Sequence, residues 1–382
     1  MGKTAALQVI YTNIGRGHPY YLDGIVEAMR DNYADRLELM STDVFALSGG
    51  WGRRLWRLAR YMYHTGSQGG MTGRFYERIR RERKADRPGR AERIMARDLR
   101  GFVKEQSGPV LVAHPLLASM LSDLAPVYYQ HGEVAVPREA AVAGCAKVYV
   151  PLETSADALV QFGLERSGLE VSGLCVESRL VPAAGRAYGN RLERLRRNRF
   201  LTGAFFSSGA EPSGHVAKII MAAESLIPTE HKGVIFCRAG GRLEYALRER
   251  GLAGDDPQKT GLEVLAFRSR REENELTLSV FDRFDYFLGP AHERTNWAIG
   301  LGLPMFVLHP TIGTFSPLNH SFLINRRVAV DIASEKDAAG FVSKLDRLLD
   351  SGALADMARN GFNQYRIDGF SRIADSLVRD MG

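Results

Sequence analysis

Short apolar segments alternate with amphipathic segments along almost the whole chain, and this alternation is the feature that most constrains the fold. Runs such as "PVLVAHP" have the length and composition of buried strands, whereas "HVAKIIMAAESLI" has the apolar spacing of a helix. Strands separated by helices form βαβ units, in which the strands pair in parallel and the helices cover the sheet. The sequence therefore predicts an α/β fold built on parallel sheets.

The alternation restarts near Asn198, which indicates two domains. A strand, a glycine-containing loop and a helix open the chain, and the same succession follows Asn198. A length of 382 residues suits two domains of roughly 100–200 residues each. We expect two Rossmann-like domains facing a central cleft. The predicted segments are an N-terminal domain at 1–180, a linker at 181–199, a C-terminal domain at 200–365 and a terminal helix at 366–382 that packs on the first domain.

The composition argues against a membrane-spanning, a secreted and a disulfide-linked protein. No apolar run approaches the ~18 residues of a membrane-spanning helix, and the N-terminal residues lack the pattern of a signal peptide. The three cysteines, Cys145, Cys175 and Cys237, are scattered and form no C-x-x-C pair. This spacing argues against a disulfide framework and against a zinc site. We therefore expect a cytoplasmic protein without a metal.

Positive charge is concentrated in one segment, residues 51–104. This segment holds 16 Lys/Arg against 5 Asp/Glu, a net charge of +11. Because the whole chain carries +7, the remaining residues carry −4. Within it, residues 51–63 combine arginine with Trp51 and Trp56 in a helical pattern, which suits the surface of an anionic membrane. Two alternatives remain open. Lysine and arginine clusters also bind nucleic acid, although no nucleic-acid motif is present, and the aromatic residues could pack inward beneath a solvated charged face.

The first glycine loop, Gly15-Arg16-Gly17-His18, is the first candidate site. Glycine permits a tight turn and the close approach of a ligand, and the following helix offers free N–H groups. Loops after parallel strands are where α/β folds bind ligands. The helix dipole favours the neutral form of His18, which could act as a general base. The alternative is a tight turn formed by Gly15 and Gly17, with a histidine that caps the helix.

Further polar residues follow two other apolar strands. His114 follows "PVLVA", and His131 and Glu133 follow "PVYYQ". We expect them at the same strand-end rim as His18, where Glu133 could raise the basicity of a histidine. The predicted catalytic residues are therefore His18, Glu133 and His131, with His114 on the acceptor side. The alternative is that each of these polar residues lies at the strand ends without any catalytic role.

The ordered motifs resemble those of GT-B glycosyltransferases, and most of all the monogalactosyldiacylglycerol synthase and processive diacylglycerol glucosyltransferase group. "GRGHPYYLDGIVEAM" resembles the glycine-histidine loop of this family, and "LTGAFFSSGAEPSG" resembles the loop that opens its donor domain. "DYFLGPAHERTNWAIGLGLPMFVL" resembles its donor-site signature. The pieces occur in the family's order over nearly the whole chain.

The resemblance implies an inverting, metal-independent transfer of a sugar from a nucleotide-sugar donor, UDP-linked in most of the family, to a hydroxyl acceptor such as a membrane lipid. No separate cofactor is implied. Ser208 and Gly209 would receive the donor diphosphate, and Arg238 would neutralise it as it leaves. The implied donor-binding residues are Ser208, Gly209, Arg238, Phe267, Arg268, His292, Glu293, Asn296 and Thr314.

The donor signature also departs from the family. Trp297 occupies the position of a ribose-binding glutamate, and an indole cannot accept hydrogen bonds from two hydroxyls. Gly313-Thr314-Phe315 stands where the family has G-Q-E. Two other functions therefore stay open. One is a nucleotide-sugar epimerase on the same fold, which would need a cluster of carboxylates, and the other is a non-catalytic binding protein.

Overall fold

The computed structural model describes residues 5–12, 14, 17–66, 90–106, 108–197, 199–253 and 260–381. The chain divides into two compact units. Unit 1 contains most of the chain up to Ser178 and resumes at Arg366, whereas unit 2 extends from Arg179 to Tyr365.

Unit 1 is built on a six-stranded parallel sheet with the strand order β2-β1-β3-β4-β5-β6. Its strands are β1 (Ala5–Tyr11), β2 (Leu37–Asp43), β3 (Val110–Val112), β4 (Val127–Gln130), β5 (Lys147–Val150) and β6 (Leu169–Val171). Its helices are α1 (Gly17–Tyr33), α2 (Val44–Leu47), α3 (Gly50–Gly66), α4 (Arg90–Gln106), α5 (Pro115–Leu121), α6 (Glu153–Gln161) and, at the end of the chain, α16 (Gly369–Met381).

Unit 2 is built on a second six-stranded parallel sheet, ordered β12-β11-β10-β7-β8-β9. Its strands are β7 (Thr202–Phe206), β8 (Lys232–Arg238), β9 (Leu262–Phe267), β10 (Tyr286–Gly289), β11 (Met305–Leu308) and β12 (Ala329–Ile332). Its helices are α7 (Ala184–Arg197), α8 (Ser213–Leu226), α9 (Arg242–Glu249), α10 (Arg270–Val280), α11 (Thr295–Gly300), α12 (Ser316–Asn325), α13 (Glu335–Ala339), α14 (Phe341–Asp350) and α15 (Ala353–Gly361). This strand order is that of the Rossmann fold.

The predicted fold class, an α/β protein with two Rossmann-like domains, is confirmed. Every residue of β3, β4, β10 and β11 is buried, as expected for strands covered by helices on both faces. The last helix, α16, packs on α1 as predicted. A Cβ atom added at Gly24 of α1 would lie only 2.3 Å from the ring of Phe370, so the two helices approach closely at this glycine. The hydroxyl of Tyr33 donates to Asp375 at 2.7 Å along the same pair.

Two segments differ from the prediction. The predicted linker at 181–199 is mostly helix α7, which belongs to unit 2. Its buried Arg191 donates to the backbone carbonyls of Phe284 and Leu301, at 3.0 and 2.7 Å. The segment "LNHSFLINRRVA" has the apolar spacing of one continuous helix, but the helix ends at Asn325, and Ala329–Ile332 forms the edge strand β12.

The basic segment contains helices α3 and α4, and its residues 67–89 lie outside the described part of the chain. The two tryptophans of α3 point in different directions. Trp56 is 1% exposed and its indole N–H donates to the carbonyl of Met95 in α4, at 3.2 Å, whereas Trp51 is 70% exposed. Trp56 therefore packs inward beneath the charged face, which is one of the two alternatives for this segment, whereas Trp51 does not pack inward. Among the residues that the structure describes, no helix has the length and apolar character needed to cross a membrane.

Candidate functional site

Each sheet has one topological switch point, the place where successive strands are added in opposite directions. In unit 1 it lies between β1 and β3, and in unit 2 it lies between β7 and β10. Open α/β sheets bind ligands outside the carboxyl ends of the strands at such points. His18 and His114 follow β1 and β3, and Ser208 and Glu293 follow β7 and β10. The residues selected from the sequence therefore border both switch points.

At the switch point of unit 1 the structure brings two histidines together. The imidazole rings of His18 and His114 lie 4.4 Å apart, centroid to centroid. Nδ1 of His18 is 2.7 Å from the carbonyl oxygen of Ala113, which can only accept, so Nδ1 carries the proton and Nε2 carries the lone pair of the neutral ring. Nδ1 of His114 accepts from the N–H of Leu116 at 3.1 Å and caps α5.

The two rings therefore have opposite tautomers when neutral. His18 presents Nε2 as a base, and His114 presents Nε2–H as a donor. Such a pair is suited to accepting one proton and donating another. Gly17 is the first residue of α1, and Gly15 lies outside the described residues.

His131 and Glu133 lie in the loop after β4, and both are buried. Nε2 of His131 is 3.2 Å from the carbonyl of Ala135, and its backbone N–H donates to Tyr149 at 2.9 Å. Burial lowers the pKa of His131 to about 4. An imidazole held by backbone groups and neutral at pH 7 is suited to fixing this loop. A catalytic role for His131 or Glu133 stays a prediction.

The low pKa of His131 predicts a loss of stability in acid. A histidine of the unfolded chain titrates near pH 6.5, so between pH 6.5 and about 4 the unfolded state binds more protons, and stability falls as the pH is lowered. Going from pH 7 to pH 5 should cost about 2 kcal/mol through His131 alone. The variant His131→Gln can still donate to Ala135 but does not titrate. Urea denaturation at the two pH values should show that the variant loses about 2 kcal/mol less than the unsubstituted protein; an equal loss in both would contradict the assignment.

In unit 2, two buried hydroxyls lie at the carboxyl edge of the sheet. Oγ of Ser207, directly after β7, and Oγ of Ser316, the first residue of α12, find no hydrogen-bond partner among the residues that the structure describes. Ser316 is 0% exposed. The amide of Asn319 in α12 donates to the carbonyl of Ala291 at 3.2 Å and ties the start of this helix to the loop after β10. Ser316 therefore belongs to the switch point.

The helices that begin at this edge are not all capped in the same way. Pro212 precedes α8 and Phe315 precedes α12, and neither provides a side-chain cap or is followed by an acidic residue in the first turn. In the same unit α10 is capped by Ser269 and α13 by Ser334. A helix start without a side-chain cap directs backbone N–H groups and a partial positive charge outward, and the two together favour an anion. The starts of α8 and α12 are therefore suited to an anionic ligand.

A buried cluster of charges follows β10. The guanidinium of Arg294 is 2.6 Å from Oε1 of Glu273 and 3.4 Å from Oε1 of Glu293, and it stacks 3.8 Å above the ring of Phe206. All three charged side chains are buried. No sequence pattern selects Glu273 or Arg294, because Glu273 belongs to α10 and no spacing links it to the loop after β10.

Trp297 lies in the core of unit 2. Its indole makes edge-to-face contacts with Phe206, Phe281 and Phe287, at centroid distances of 5.7, 5.3 and 5.9 Å. The effect of this residue on a ligand pocket stays a prediction. The indole fills an aromatic core, and the carboxylate of Glu293 lies in the preceding loop.

The other predicted donor-site residues are distributed around the same edge. Arg238 is exposed at the end of β8. At the end of β9 the carbonyl of Phe267 accepts from the N–H of Ala239, and the N–H of Arg268 donates to Glu272, so both backbone groups already have partners. Burial lowers the pKa of His292. Ser208, Gly209 and Thr314 lie in the loops after β7 and β11, and Asn296 is buried in α11. Their binding roles stay predictions.

No protein-family model matches the chain, and a search of curated proteins finds no match. Solved structures are similar in fold over almost the full chain. The UDP-GlcNAc 2-epimerase of Neisseria meningitidis, bound to UDP-GlcNAc, is 10% identical with a TM-score of 0.61, and the alignment covers 98% of this chain and 100% of that one. The UDP-bound MnaA of S. aureus is 11% identical with a TM-score of 0.58, covering 97% and 94%. The UDP-GlcNAc 2-epimerase of Methanocaldococcus jannaschii, in complex with UDP-GlcNAc and UDP, is 11% identical with a TM-score of 0.53, covering 98% and 99%. At these identities the likeness shows the fold, which is GT-B-like.

Proposed function

We propose that this chain is an enzyme that acts on a nucleotide sugar, and that its reaction is epimerisation of the sugar. The nucleotide diphosphate binds at the carboxyl edge of unit 2. The observation that carries the proposal is the buried hydroxyl of Ser316, which lacks a partner among the described residues and opens an uncapped helix beside the switch point.

The chemistry of this edge suits a diphosphate. Two uncapped helix starts, at α8 and α12, offer backbone N–H groups, and the hydroxyls of Ser207 and Ser316 can donate to phosphate oxygens. The structures similar in fold include complexes with UDP and UDP-GlcNAc, which favours a UDP-linked ligand. Glu293, in the loop before α11, takes over the role of the family's ribose-binding glutamate and accepts hydrogen bonds from ribose hydroxyls.

Epimerisation is favoured over transfer by two features. The reaction removes a proton from the sugar carbon next to the anomeric carbon while the bond to the diphosphate breaks and the diphosphate takes up the electron pair. A proton then returns to the opposite face as the diphosphate adds back, so the reaction needs a base and an acid together. His18 and His114 supply a base and an acid through their opposite tautomers; because their rings lie side by side, the sugar must turn between the two proton transfers so that its other face meets the acid. The buried carboxylates of Glu273 and Glu293 also form a cluster that the sequence alone did not reveal. The similar structures named as 2-epimerases agree with this choice.

Glycosyl transfer is the second candidate, and the surface of α3 favours it. Trp51, Leu58 and Tyr61 are exposed on this helix, and the guanidinium of Arg54 lies 4.9 Å from the ring of Trp51. Aromatic and cationic side chains on one helix suit an anionic membrane, where a lipid acceptor would be found. Trp51→Ser should then weaken sedimentation with anionic liposomes but change nothing with zwitterionic ones. Equal sedimentation with both lipids would remove this support for transfer.

Substitution of Ser316 should change stability and binding in opposite directions. Ser316→Ala removes a buried hydroxyl that has no partner among the described residues, so the free energy of unfolding should rise by about 1 kcal/mol. The same change should weaken UDP binding about tenfold, because a donor to phosphate is lost. Urea denaturation and calorimetry measure the two effects.

Ser376→Ala is the matched control. Ser376 is equally buried, but its hydroxyl donates to Glu170 at 2.7 Å and accepts from Lys147 at 3.1 Å. This variant should lose stability and keep its affinity for UDP. A Ser316→Ala protein that binds UDP with unchanged affinity would contradict the placement of the diphosphate.

A further inference from the structure

Two histidines and an aspartate from three different elements meet at the outer edge of unit 2. His309 directly follows β11, His320 lies in α12, and Asp331 lies in the edge strand β12. Nε2 of His309 is 3.0 Å from Oδ1 of Asp331, and Nε2 of His320 is 2.7 Å from the same oxygen. The two imidazole rings lie 4.8 Å apart. The three donor atoms all lie within 4.8 Å of one another, and they form the one such group found among the described residues.

This donor set matches what zinc prefers. Two imidazole nitrogens and one carboxylate oxygen are common ligands of Zn²⁺, with water completing a tetrahedron. Ligand atoms at about 2.0–2.1 Å from a tetrahedral zinc ion are about 3.3 Å apart. The two nitrogen–oxygen distances of 3.0 and 2.7 Å are each within about 0.6 Å of that separation. The two nitrogens lie within 4.8 Å of each other, so side-chain rotations that bring them to a similar separation would admit an ion.

The backbone around the cluster is fixed before any ion binds. The ammonium group of Lys218 donates to the carbonyl of His309 at 2.7 Å, and that of Lys344 donates to the carbonyl of Asp331 at 2.6 Å. The backbone N–H of His309 also donates to Ile332 at 3.2 Å. Pre-positioned ligands reduce the cost of binding. The two ammonium groups repel a cation, so the affinity should be lower than that of a four-ligand structural zinc site.

We propose that His309, His320 and Asp331 form a zinc site that joins α12 to β11 and β12. Each neutral imidazole gives its Nε2 lone pair to the ion, and its proton moves from Nε2 to Nδ1. The ion replaces the two N–H···O contacts to Asp331 with three metal–ligand bonds. This site is separate from the proposed sugar chemistry and holds the helix on which His320 lies one turn after Ser316. The expectation of no metal rested on the scattered cysteines and on the resemblance to metal-independent enzymes, and neither concerns this group of two histidines and an aspartate.

The cysteines are poor competitors for zinc. Burial raises the pKa of the thiols of Cys145 and Cys237 to about 12, so both remain protonated at neutral pH, and a thiol binds zinc only as the thiolate. Zinc bound near pH 7 is therefore expected at the histidines.

The test is a zinc titration of the full chain without an affinity tag, followed by calorimetry and by thermal unfolding. We expect one zinc per chain and a raised unfolding temperature that EDTA reverses. His320→Gln and Asp331→Asn can still form hydrogen bonds at these positions but are poor zinc ligands, so each should bind zinc at least about tenfold more weakly. Their unfolding in EDTA should match that of the unsubstituted protein; if one variant does not fold, His309→Gln replaces it.

Asp346→Asn is the control. Asp346 pairs with His231 at 2.9 Å, and these two side chains alone offer only two metal-ligand atoms, so the variant should leave zinc binding unchanged. Cobalt offers a second readout, since a four-coordinate site gives visible absorption bands that should disappear in Asp331→Asn. Absence of zinc binding in the unsubstituted protein, or equal binding in the three ligand variants, would overturn the proposal.

Discussion

Arg294→Met should lower the free energy of unfolding by about 3–5 kcal/mol. The guanidinium lies between the buried carboxylates of Glu273 and Glu293, and its removal leaves two buried negative charges beside each other. Methionine keeps part of the apolar contact with Phe206, so the loss is mainly electrostatic. Urea denaturation at pH 7 measures the effect.

Two companion variants separate this electrostatic cost from a general effect of replacing arginine. Arg271→Met removes an arginine that is 89% exposed and paired with Glu275, and it should change stability little. Glu273→Gln in the Arg294→Met background removes one buried charge and should restore part of the lost stability. A loss below about 1 kcal/mol in Arg294→Met would mean that the cluster is not buried in solution as it is in the structure.

His18→Asn should lower the turnover number by about 10²–10⁴-fold, the usual contribution of a general base. The amide of asparagine can donate to the carbonyl of Ala113 as Nδ1 of His18 does, but it has no atom equivalent to the basic Nε2. The fold and the affinity for UDP should therefore stay unchanged, since the diphosphate is assigned to unit 2. Steady-state kinetics and calorimetry on the same protein measure both quantities.

The turnover of His18→Asn should be compared with that of His114→Asn, because the two histidines are assigned different roles in proton transfer. His114→Asn can still accept from Leu116 and cap α5, but it lacks Nε2–H, so it should lower turnover by a similar factor if His114 is the acid. A His18→Asn protein with turnover within a few-fold of the original would remove His18 as the base. A large loss in His18→Asn alone would assign proton transfer to His18 and a different acid.

The sequence predicted the parallel sheets and the position of His18 and His114 at one strand-end rim for a simple physical reason. Parallel strands end at the same edge of a sheet, so polar residues directly after β1 and β3 must lie near each other. Strands that are covered on both faces also have continuous apolar runs, which are easily recognised.

Other features could not be predicted, because they depend on contacts between distant segments. The pairing of Arg294 with Glu273 joins a loop to a helix, and no periodicity connects the two. The strand β12 was missed because α12 is followed by Arg327, which adopts a left-handed conformation with a φ of 56° in place of the usual glycine. Without that stop signal the apolar spacing predicts a helix that continues through Ala329. The burial of Ser316, on which the proposed diphosphate site depends, is likewise visible only in the folded chain.

Epimerisation can be followed directly by a proton NMR time course of UDP-GlcNAc incubated with the purified protein in D₂O. We expect the signals of the C2 epimer to appear and the proton at C2 to be replaced by deuterium from the solvent, since a base removes it and an acid returns another. Ser316→Ala should slow this exchange at low substrate concentration, and His18→Asn should nearly abolish it. Unchanged UDP-GlcNAc signals together with an absence of UDP binding would refute epimerisation by this protein, whereas release of UDP without deuterium at C2 would favour transfer.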